Sequence, residues 1–324
     1  MDVREPGELA ALAASPLAAE LLDDVVVVDL RAGAEAGVDL APLTALPVVV
    51  VGIGPGPCPE VDVLVDGEDG AEAVVDAATA RPVAATALVL HLRASAALPI
   101  GAALVGESAT YSALQGGAEH LSWLAARDAT RAPGRSHDGG ARVRVAADPD
   151  EPGRLHIALA RPGARNAVDA AMQLALVDAL AAVGPDVAEL VITGDGPVFS
   201  AGGDLDEFGA LADPASAHLL RLARSPARAL ARVADRTTVV VQGACHGAGV
   251  ELPAFARRVV ARPDATFTLP EVAMGLIPGA GGTVSLPRRI GRQRTAWLAL
   301  TGAPIDAATA RDWGLVDEVA DDQP

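Results

Sequence analysis

A series of strand–loop–helix units in the second part of the chain constrains the fold more than any other feature. The apolar segments "AELVITG" (188–194) and "TTVVVQG" (237–243) each predict a buried strand that is followed by a glycine-rich loop. Units of this kind in series pair their strands in parallel through right-handed crossovers. Before them, "ARVRVAA" and "GRLHIALA" flank the turn "DPDEPG" and predict a hairpin. The sequence therefore predicts an α/β fold.

The first part of the chain shows a shorter form of the same alternation, between Ala-rich helical stretches. It predicts a small acidic α/β domain over residues 1–127. The strands predicted in this domain are the apolar segments 25–30, 47–53, 61–66 and 87–92. Residues 128–142 are rich in Arg, Gly, Ser and Asp without an apolar period, which predicts a linker. The second domain then covers residues 143–324.

The stretch 100–127 has a helical period with a predicted break near Gly116. Its notable polar groups are Glu107, Tyr111 and His120. We expect these side chains to lie on a solvated helix face. The alternative is that the stretch docks over an active site.

Composition limits the possible partners and compartments. The net charge of −17 argues against a nucleic-acid partner, which requires a basic face. The chain has no lysine, so an anion would be bound by arginine or by backbone N–H groups. We expect no membrane span, because no apolar run approaches about 18 residues, and a cytoplasmic protein, because the acidic N-terminus lacks the basic start of a signal peptide. Cys58 and Cys245 do not form a metal-binding pair, and no metal site is predicted.

Two glycine-rich strand exits, "FSAGGD" (199–204) and "HGAGVE" (246–251), carry the first functional signal. Each lies where a parallel strand ends and a helix begins, which leaves backbone N–H groups without partners at the positive end of a helix dipole. Small residues let an oxygen atom approach those groups. Two such junctions on neighbouring strands could form an oxyanion hole, in which one donor changes a rate by roughly 10²–10³.

Two carboxylates, Glu251 and Glu271, each lie alone among apolar and small residues. One interpretation makes them helix-start residues, because a carboxylate in a first turn contributes about 0.3–1 kcal/mol and Pro270 is a good helix opening. The other interpretation places both in one cavity, where one acts as a base and its neighbour as an acid. We favour the second.

The second part of the chain resembles the crotonase, or enoyl-CoA hydratase/isomerase, superfamily over about residues 143–320. The resemblance rests on four motifs in the family's order: "LARPGARNAVD", "PVFSAGGDLDEF", "GACHGAGVELPAFARRVVARPDATFTLPEVAMGLIPGAGGT" and "LTGAPIDAATARDWGLVDEV". It implies a crotonase-like spiral of ββα units and a coenzyme A thioester as substrate. It also implies a homo-oligomer, either a trimer or a hexamer, and no cofactor beyond the coenzyme A of the substrate.

The resemblance also implies roles for individual residues. The N–H groups of Gly203 and Ala248 would hold the thioester oxygen, and Glu251 and Glu271 would be the catalytic pair that adds water across a 2,3-double bond. A further set of residues would contact the substrate: Arg161, Arg165, Ala201, Asp204, Gly247 and Gly279.

For several residues near these motifs we expect structural roles. We expect Asp204 and Asp206 to cap the next helix, His246 to be a packed histidine and Cys245 to lie in the core.

The most consistent function is hydration of an enoyl-CoA or the reverse dehydration. The alternatives are double-bond isomerisation, thioester hydrolysis, cofactor-independent oxygenation of an aryl-acetyl-CoA, or a non-catalytic CoA-binding subunit. The family pattern continues beyond "GLVDEVADDQP" with helices that cover the acyl pocket. Our hypothesis is that the helical stretch 100–127 takes over part of that cover.

Overall fold

The computed structural model describes residues 1–15, 17–31, 38–130, 140–211 and 213–320. Strands β1 to β13 are Val3–Arg4, Val25–Asp29, Val49–Ile53, Val63–Val65, Val143–Ala147, Arg154–Leu159, Glu189–Gly194, Thr237–Val241, Ala244–His246, Arg258–Ala261, Thr266–Thr268, Ile305–Asp306 and Glu318–Val319. Helices α1 to α13 are Pro6–Ala13, Ala18–Leu21, Glu68–Ala80, Pro82–Ser95, Ile100–Gln115, Ala118–Thr130, Ala170–Ala181, Pro214–Ala223, Pro226–Ala231, Ala248–Glu251, Gly282–Ile290, Arg292–Thr301 and Ala307–Trp313.

The front part of the chain, residues 1–127, contains a parallel sheet with the strand order β1-β2-β3-β4. Strand β2 runs beside β3, with Val25 opposite Val49. The strands predicted over 25–30, 47–53 and 61–66 are confirmed as β2, β3 and β4.

The strand predicted over 87–92 is wrong, because these residues lie inside helix α4. Pro82 begins this helix, and half of its residues are buried, including Leu88, Val89 and Leu92. A helix that is buried on several faces shows a continuous apolar run. Periodicity alone does not distinguish such a run from a buried strand.

The main sheet has the order β13-β10-β8-β7-β6-β5. The predicted hairpin is confirmed by the antiparallel pair β5–β6, and the remaining neighbours run parallel. After β8 the chain leaves this sheet, and β9 joins a smaller sheet of order β12-β11-β9. This change of sheet places the end of β9 and the start of α10 next to the loop that follows β7, since Ser200 bridges Cys245.

The front part and the second part of the chain share one apolar core. A single cluster of buried side chains includes Leu88 and Leu104 from the front and Leu286 and Leu298 from α11 and α12. Polar contacts cross the same boundary. The fully buried Asp62 accepts hydrogen bonds from Arg93 at 2.9 Å and from Arg292 at 2.7 Å. Helices α3 to α5 therefore pack as part of the second domain's core.

The predicted linker 128–142 needs a correction at its start. Helix α6 continues to Thr130, so residues 128–130 are helical. The remainder of the linker lies largely outside the described residues, at 131–139. The helical stretch 100–127 is confirmed as α5 and α6, and the break falls at Gly116 and Gly117, as predicted.

In the described part of the chain, no single helix has the length and apolarity needed to cross a membrane. The bent pair α3 and α4 meets that test only when the two helices are taken together.

Candidate active site

The turn between β9 and α10 is built around Gly247. This residue has φ 48°, a region that favours glycine, and its N–H donates to the carbonyl of Thr268 at 3.0 Å. Helix α10 then begins at Ala248. The first amides of a helix have no partner within it. Among the described residues, the N–H of Ala248 has no hydrogen-bond acceptor.

The loop after β7 presents a second amide of the same kind. Val168 donates from its N–H to the carbonyl of Gly202 at 2.8 Å and accepts from the N–H of Asp204 at 3.0 Å. Successive amides of an extended segment point in opposite directions. The N–H of Gly203 therefore points away from Val168, and no acceptor for it is found in the part of the chain that the structure describes.

Both loops line one cavity of about 240 Å³, and the two predicted catalytic glutamates line it as well. A Cβ on Gly202 would lie only 2.7 Å from the carbonyl oxygen of His246, so the loops are in direct contact. The structure thus brings the four residues that the sequence selected into one site: Gly203, Ala248, Glu251 and Glu271.

Glu251 does not cap its own helix. It is 2 % exposed, and its Oε2 accepts hydrogen bonds from the N–H groups of Ala280 at 2.7 Å and Gly282 at 2.8 Å, at the start of α11. Burial raises the pKa of Glu251 to about 7, while the hydrogen bonds from Gly282 and Ala280 act in the opposite direction. A carboxyl with such a pKa can both accept and release a proton near neutral pH.

Glu271 is buried and lines the same cavity as Glu251. It precedes the short 3₁₀ helix Val272–Met274 but makes no side-chain bond to it. Among the described residues, its Oε2 has no donor. Burial, followed by the charge of Glu251, raises the pKa of Glu271 well above its usual range. The helix-start interpretation therefore does not describe the contacts of either glutamate.

The two carboxyl groups flank the Gly247 turn. A Cβ on Gly247 would lie 2.4 Å from Oε1 of Glu271 and 3.9 Å from Oε1 of Glu251. Both Oε1 atoms are therefore close to one point at the edge of the cavity. A side chain at residue 247 would occupy the space between them.

The expectation of a solvated face for Glu107, Tyr111 and His120 is wrong. Glu107 is 2 % exposed and His120 is 1 % exposed, and Tyr111 is half-buried and lines the cavity. The alternative, in which this stretch docks over an active site, agrees with the position of α5, because Tyr111 of α5 lines the cavity. A polar residue on a helix of small apolar residues gives the same pattern whether it faces solvent or a polar site. The sequence therefore offered no signal to separate the two.

The remaining predicted contact residues occupy different environments. Gly279 lies against Tyr111, since a Cβ there would be 2.3 Å from the ring. Arg165 is exposed, has φ 54° and accepts a hydrogen bond on its carbonyl from the N–H of Ala201 at 2.9 Å. Asp204 lines the cavity and also caps a 3₁₀ turn, accepting from the N–H of Asp206 at 3.0 Å. The capping predicted for Asp204 is confirmed.

Arg161 is 6 % exposed and its charge is balanced by this chain. Its guanidinium contacts Asp204 at 2.6 Å and Asp169 at 3.5 Å. A contact between Arg161 and the substrate stays a prediction, and the pairing with Asp204 favours a role in holding the Asp204 loop. Cys245 is fully buried, so its predicted place in the core is confirmed.

Two polar residues that shape the site, Asn166 and Arg221, were not among those predicted from the sequence. Asn166 is fully buried with φ 51°, and its side chain bonds four backbone groups, including the carbonyl of Phe199 at 3.0 Å. The "GARNA" turn around it was a usable signal, because asparagine is enriched at positive φ. Arg221 of α8 stacks on Tyr111, with 4.2 Å between its Cζ and the ring centroid, and donates to Ser112 at 2.9 Å.

Within the described ranges, no group of three or more His, Cys, Asp or Glu side chains is arranged to hold a metal ion. The expectation of no metal and no separate cofactor stays a prediction.

Comparison with known proteins defines the class of this chain. Residues 151–323 match the family described as enoyl-CoA hydratase/isomerase. The chain belongs to this family. It is 38% identical over 168 residues to the 2,3-dehydroadipyl-CoA hydratase of Escherichia coli, with 51% of this chain and 65% of that protein covered. The chain therefore spans somewhat less than two thirds of that relative's length.

Solved structures share the fold. The enoyl-CoA hydratase of Thermoplasma volcanium matches with a TM-score of 0.51 and 35% identity, covering 56% of this chain and 73% of that one. An enoyl-CoA hydratase-like protein of Thermobifida fusca, solved in complex with acetoacetyl-CoA, matches with a TM-score of 0.51 and 27% identity, covering 63% and 76%. The crotonase-like α/β fold predicted from the sequence is confirmed.

Proposed function

We propose that this protein catalyses the syn addition of water to a 2-enoyl-CoA, or the reverse dehydration of a 3-hydroxyacyl-CoA. The observation that carries the proposal is the pairing of Glu251 and Glu271 around one point of a cavity that Gly203 and Ala248 also line. The hydratase name of the Escherichia coli relative and the bound acetoacetyl-CoA of the Thermobifida protein support an acyl-CoA substrate.

The amides would act on the thioester carbonyl. As water attacks C3, the electrons of the 2,3-double bond move towards the carbonyl, and the oxygen gains negative charge. N–H groups aimed at that oxygen stabilise the enolate, with each donor contributing roughly 10²–10³ in rate. Neither the Gly203 amide nor the Ala248 amide has to leave another acceptor among the described residues, so both are available for this role.

The glutamates would handle the protons. One ionised carboxyl removes a proton from water, whose oxygen forms the bond to C3, and the other supplies a proton to C2. Two nearby buried carboxyls do not both ionise readily, so one proton is shared between them at neutral pH. Burial raises the pKa of both groups, and the charge of Glu251 raises the pKa of Glu271 further, which favours this mixed state.

The proposal includes coenzyme A as part of the substrate, with no separate cofactor. It also includes a homo-oligomer, which rests on the family resemblance, and a cytoplasmic location.

The test follows the loss of conjugated-thioester absorbance when the purified protein receives crotonyl-CoA or cinnamoyl-CoA. We expect Glu251→Gln and Glu271→Gln each to reduce hydration at least ~10²-fold. Glu119→Gln is the matched control, because Glu119 accepts two backbone N–H groups at the start of α4 and does not line the cavity.

Each competing reaction has its own outcome. Double-bond migration in a 3-enoyl-CoA without hydration indicates an isomerase, release of free thiol indicates a hydrolase, and oxygen uptake with an aryl-acetyl-CoA indicates an oxygenase. Binding of coenzyme A without turnover of any thioester would replace the proposal with a non-catalytic role.

A further inference from the structure

The front part of the chain supplies a third carboxyl to this site. Oε1 of Glu107 accepts a hydrogen bond from the N–H of Gly281 at 2.8 Å. Its Oε2 accepts from the N–H of Thr283 at 3.0 Å and from the Thr283 hydroxyl at 2.7 Å. Glu107 is 2 % exposed, and 174 residues separate it from Gly281 in the chain. These contacts join α5 to the first turn of α11.

The same turn also holds Glu251. The amides of Ala280 and Gly282 donate to Glu251, whereas those of Gly281 and Thr283 donate to Glu107. Consecutive amides therefore alternate between the two carboxyls. The positive end of a helix favours nearby negative charge, and here two carboxyls compete for that end.

We propose that Glu107 is a positioning residue of the active site, which fixes the turn that orients Glu251 and whose negative charge, once it ionises, raises the pH at which the Glu251–Glu271 pair loses its last proton. The proposal rests on the function proposed above. It assigns Glu107 no contact with the substrate, since Glu107 does not line the cavity.

The charged and titratable groups around Glu107 support an electrostatic role. They are His91 of α4, Tyr111 of α5, Arg221 of α8, Glu251 of α10, and Glu271. Burial and the charge of Glu251 raise the pKa of Glu107 to about 8, while the hydrogen bonds from Thr283 and Gly281 act in the opposite direction. Repulsion between carboxyls is reciprocal, so an ionised Glu107 disfavours ionisation of its two neighbours.

The hydrogen bonds that link Glu107, Thr283 and His91 can form in either protonation state of Glu107. Nε2 of His91 lies 3.0 Å from Oγ1 of Thr283. When Glu107 is ionised, the Thr283 hydroxyl donates to it and accepts from the N–H of His91. When Glu107 is protonated, it can donate to Thr283, which then donates to a bare Nε2 of His91. Burial lowers the pKa of His91 to about 4, so this histidine is neutral in both arrangements at neutral pH.

The pH dependence of kcat separates this role from simple stabilisation. Glu107→Gln keeps the shape of the side chain and removes its charge. Glu107 still holds most of its proton at the pH where Glu251 ionises, so the acid limb of the plot of kcat against pH should stay in place. Without the charge of Glu107 the pair loses its last proton at lower pH, so we expect the alkaline limb to move down by about one pH unit, with KM changed little. Glu119→Gln, at a helix start of the same front part, should leave both limbs in place. An unchanged alkaline limb in Glu107→Gln, whatever the loss of rate, would overturn the proposal.

A second pair of variants covers the case in which Glu107→Gln does not fold. Thr283→Val removes the hydroxyl that donates to Glu107 and keeps the backbone N–H, whereas Thr283→Ser keeps both donors. Without the hydroxyl, Glu107 ionises less readily and repels its neighbours less. We therefore expect Thr283→Val to move the alkaline limb in the same direction by a smaller amount, and Thr283→Ser to leave it unchanged. Equal profiles for the two variants would overturn the proposal.

A direct titration keeps this inference separate from the proposed function. In protein labelled with ¹³C at the glutamate carboxyls, the resonances absent from Glu251→Gln and Glu271→Gln identify those groups. We expect the Glu271 carboxyl, whose pKa the charge of Glu107 raises, to titrate at lower pH in Thr283→Val than in Thr283→Ser. This shift is measurable even if the protein hydrates no thioester, in which case only the proposed function fails. Identical titration in the two variants overturns the role of Glu107.

Discussion

Gly247 contacts Glu271 so closely that the turn between β9 and α10 tolerates no side chain. A Cβ at Gly247 would lie 2.4 Å from Oε1 of Glu271, nearer than non-bonded carbon and oxygen atoms approach. The backbone at Gly247 also has φ 48°. The glycine therefore serves two purposes, since it allows the turn to form and leaves Glu271 room beside the cavity.

We expect Gly247→Ala to reduce hydration at least ~10-fold, because a displacement of a catalytic group by about 1 Å can cost up to ~10² in rate. The positive φ adds a loss of stability of about 1–3 kcal/mol. Initial rates and thermal unfolding measure the two effects. Gly101→Ala is the control, since a Cβ at Gly101 meets no atom within 4 Å. An active and stable Gly247→Ala protein would contradict this account of the turn.

The two glutamates should differ in what they contribute to stability. Glu271→Met removes a buried oxygen that has no hydrogen-bond partner among the described residues, so we expect the free energy of unfolding to rise by about 1 kcal/mol. Glu251→Met leaves the amides of Ala280 and Gly282 without an acceptor and should lower it by about 2 kcal/mol or more. Chemical denaturation measures both values, and both variants should be inactive. Destabilisation by Glu271→Met would show that its carboxyl has a favourable partner.

Stability should fall as the pH rises from 6.5 to 8. Burial raises the pKa of Glu251 to about 7 and of Glu107 to about 8, so the folded protein holds protons that the unfolded chain, with glutamate pKa values near 4.5, has already released. The stability that these protons contribute is complete below pH 4.5 and is lost as the pH passes the folded pKa values. Each extra proton makes the decrease about 1.4 kcal/mol per pH unit.

The pH range is chosen to limit the contribution of other groups. Burial lowers the pKa of His91, His120 and His246 below the usual 6.5, so most of their effect on stability lies below this range, and the small remainder opposes the decrease as the unfolded chain loses its last histidine protons. Denaturation curves at pH 6.5 and 8 test the prediction, and the decrease should be smaller in Glu107→Gln. A free energy of unfolding that stays constant or rises over this range would contradict the assignment of buried, protonated glutamates.

The front part should be required for an intact site, whether or not it is covalently joined to the second part. Leu88 and Leu104 lie in the same core as Leu286 and Leu298, and Tyr111 lines the cavity. We expect deletion of residues 1–127 to yield an insoluble or inactive protein. A protease site inserted within residues 131–139 should allow cleavage into two pieces that stay together in gel filtration and keep their hydration rate.

Cleavage of that inserted site provides the contrast with deletion, because it breaks the chain without removing any side chain from the core. If the piece that begins after the cut is soluble alone and turns over at the full rate, the front part does not contribute to the site.

The sequence by itself determined the family, the two strand exits and the two glutamates. These features are local, because a glycine-rich turn, the amides it frees and a carboxylate in the next turn lie within a few residues of one another. The short strands β2, β3 and β4 were readable for the same reason, since each is an apolar run between turns.

Only the tertiary structure decided that residues 87–92 are helical, that helix α5 covers the cavity and that Glu107 faces Glu251. Helix α4 is surrounded by apolar neighbours, and its pattern could not report which element it forms. The contact between Glu107 and the start of α11 joins residues far apart in the chain. It depends on how two helices pack, and no local pattern of residues encodes that arrangement.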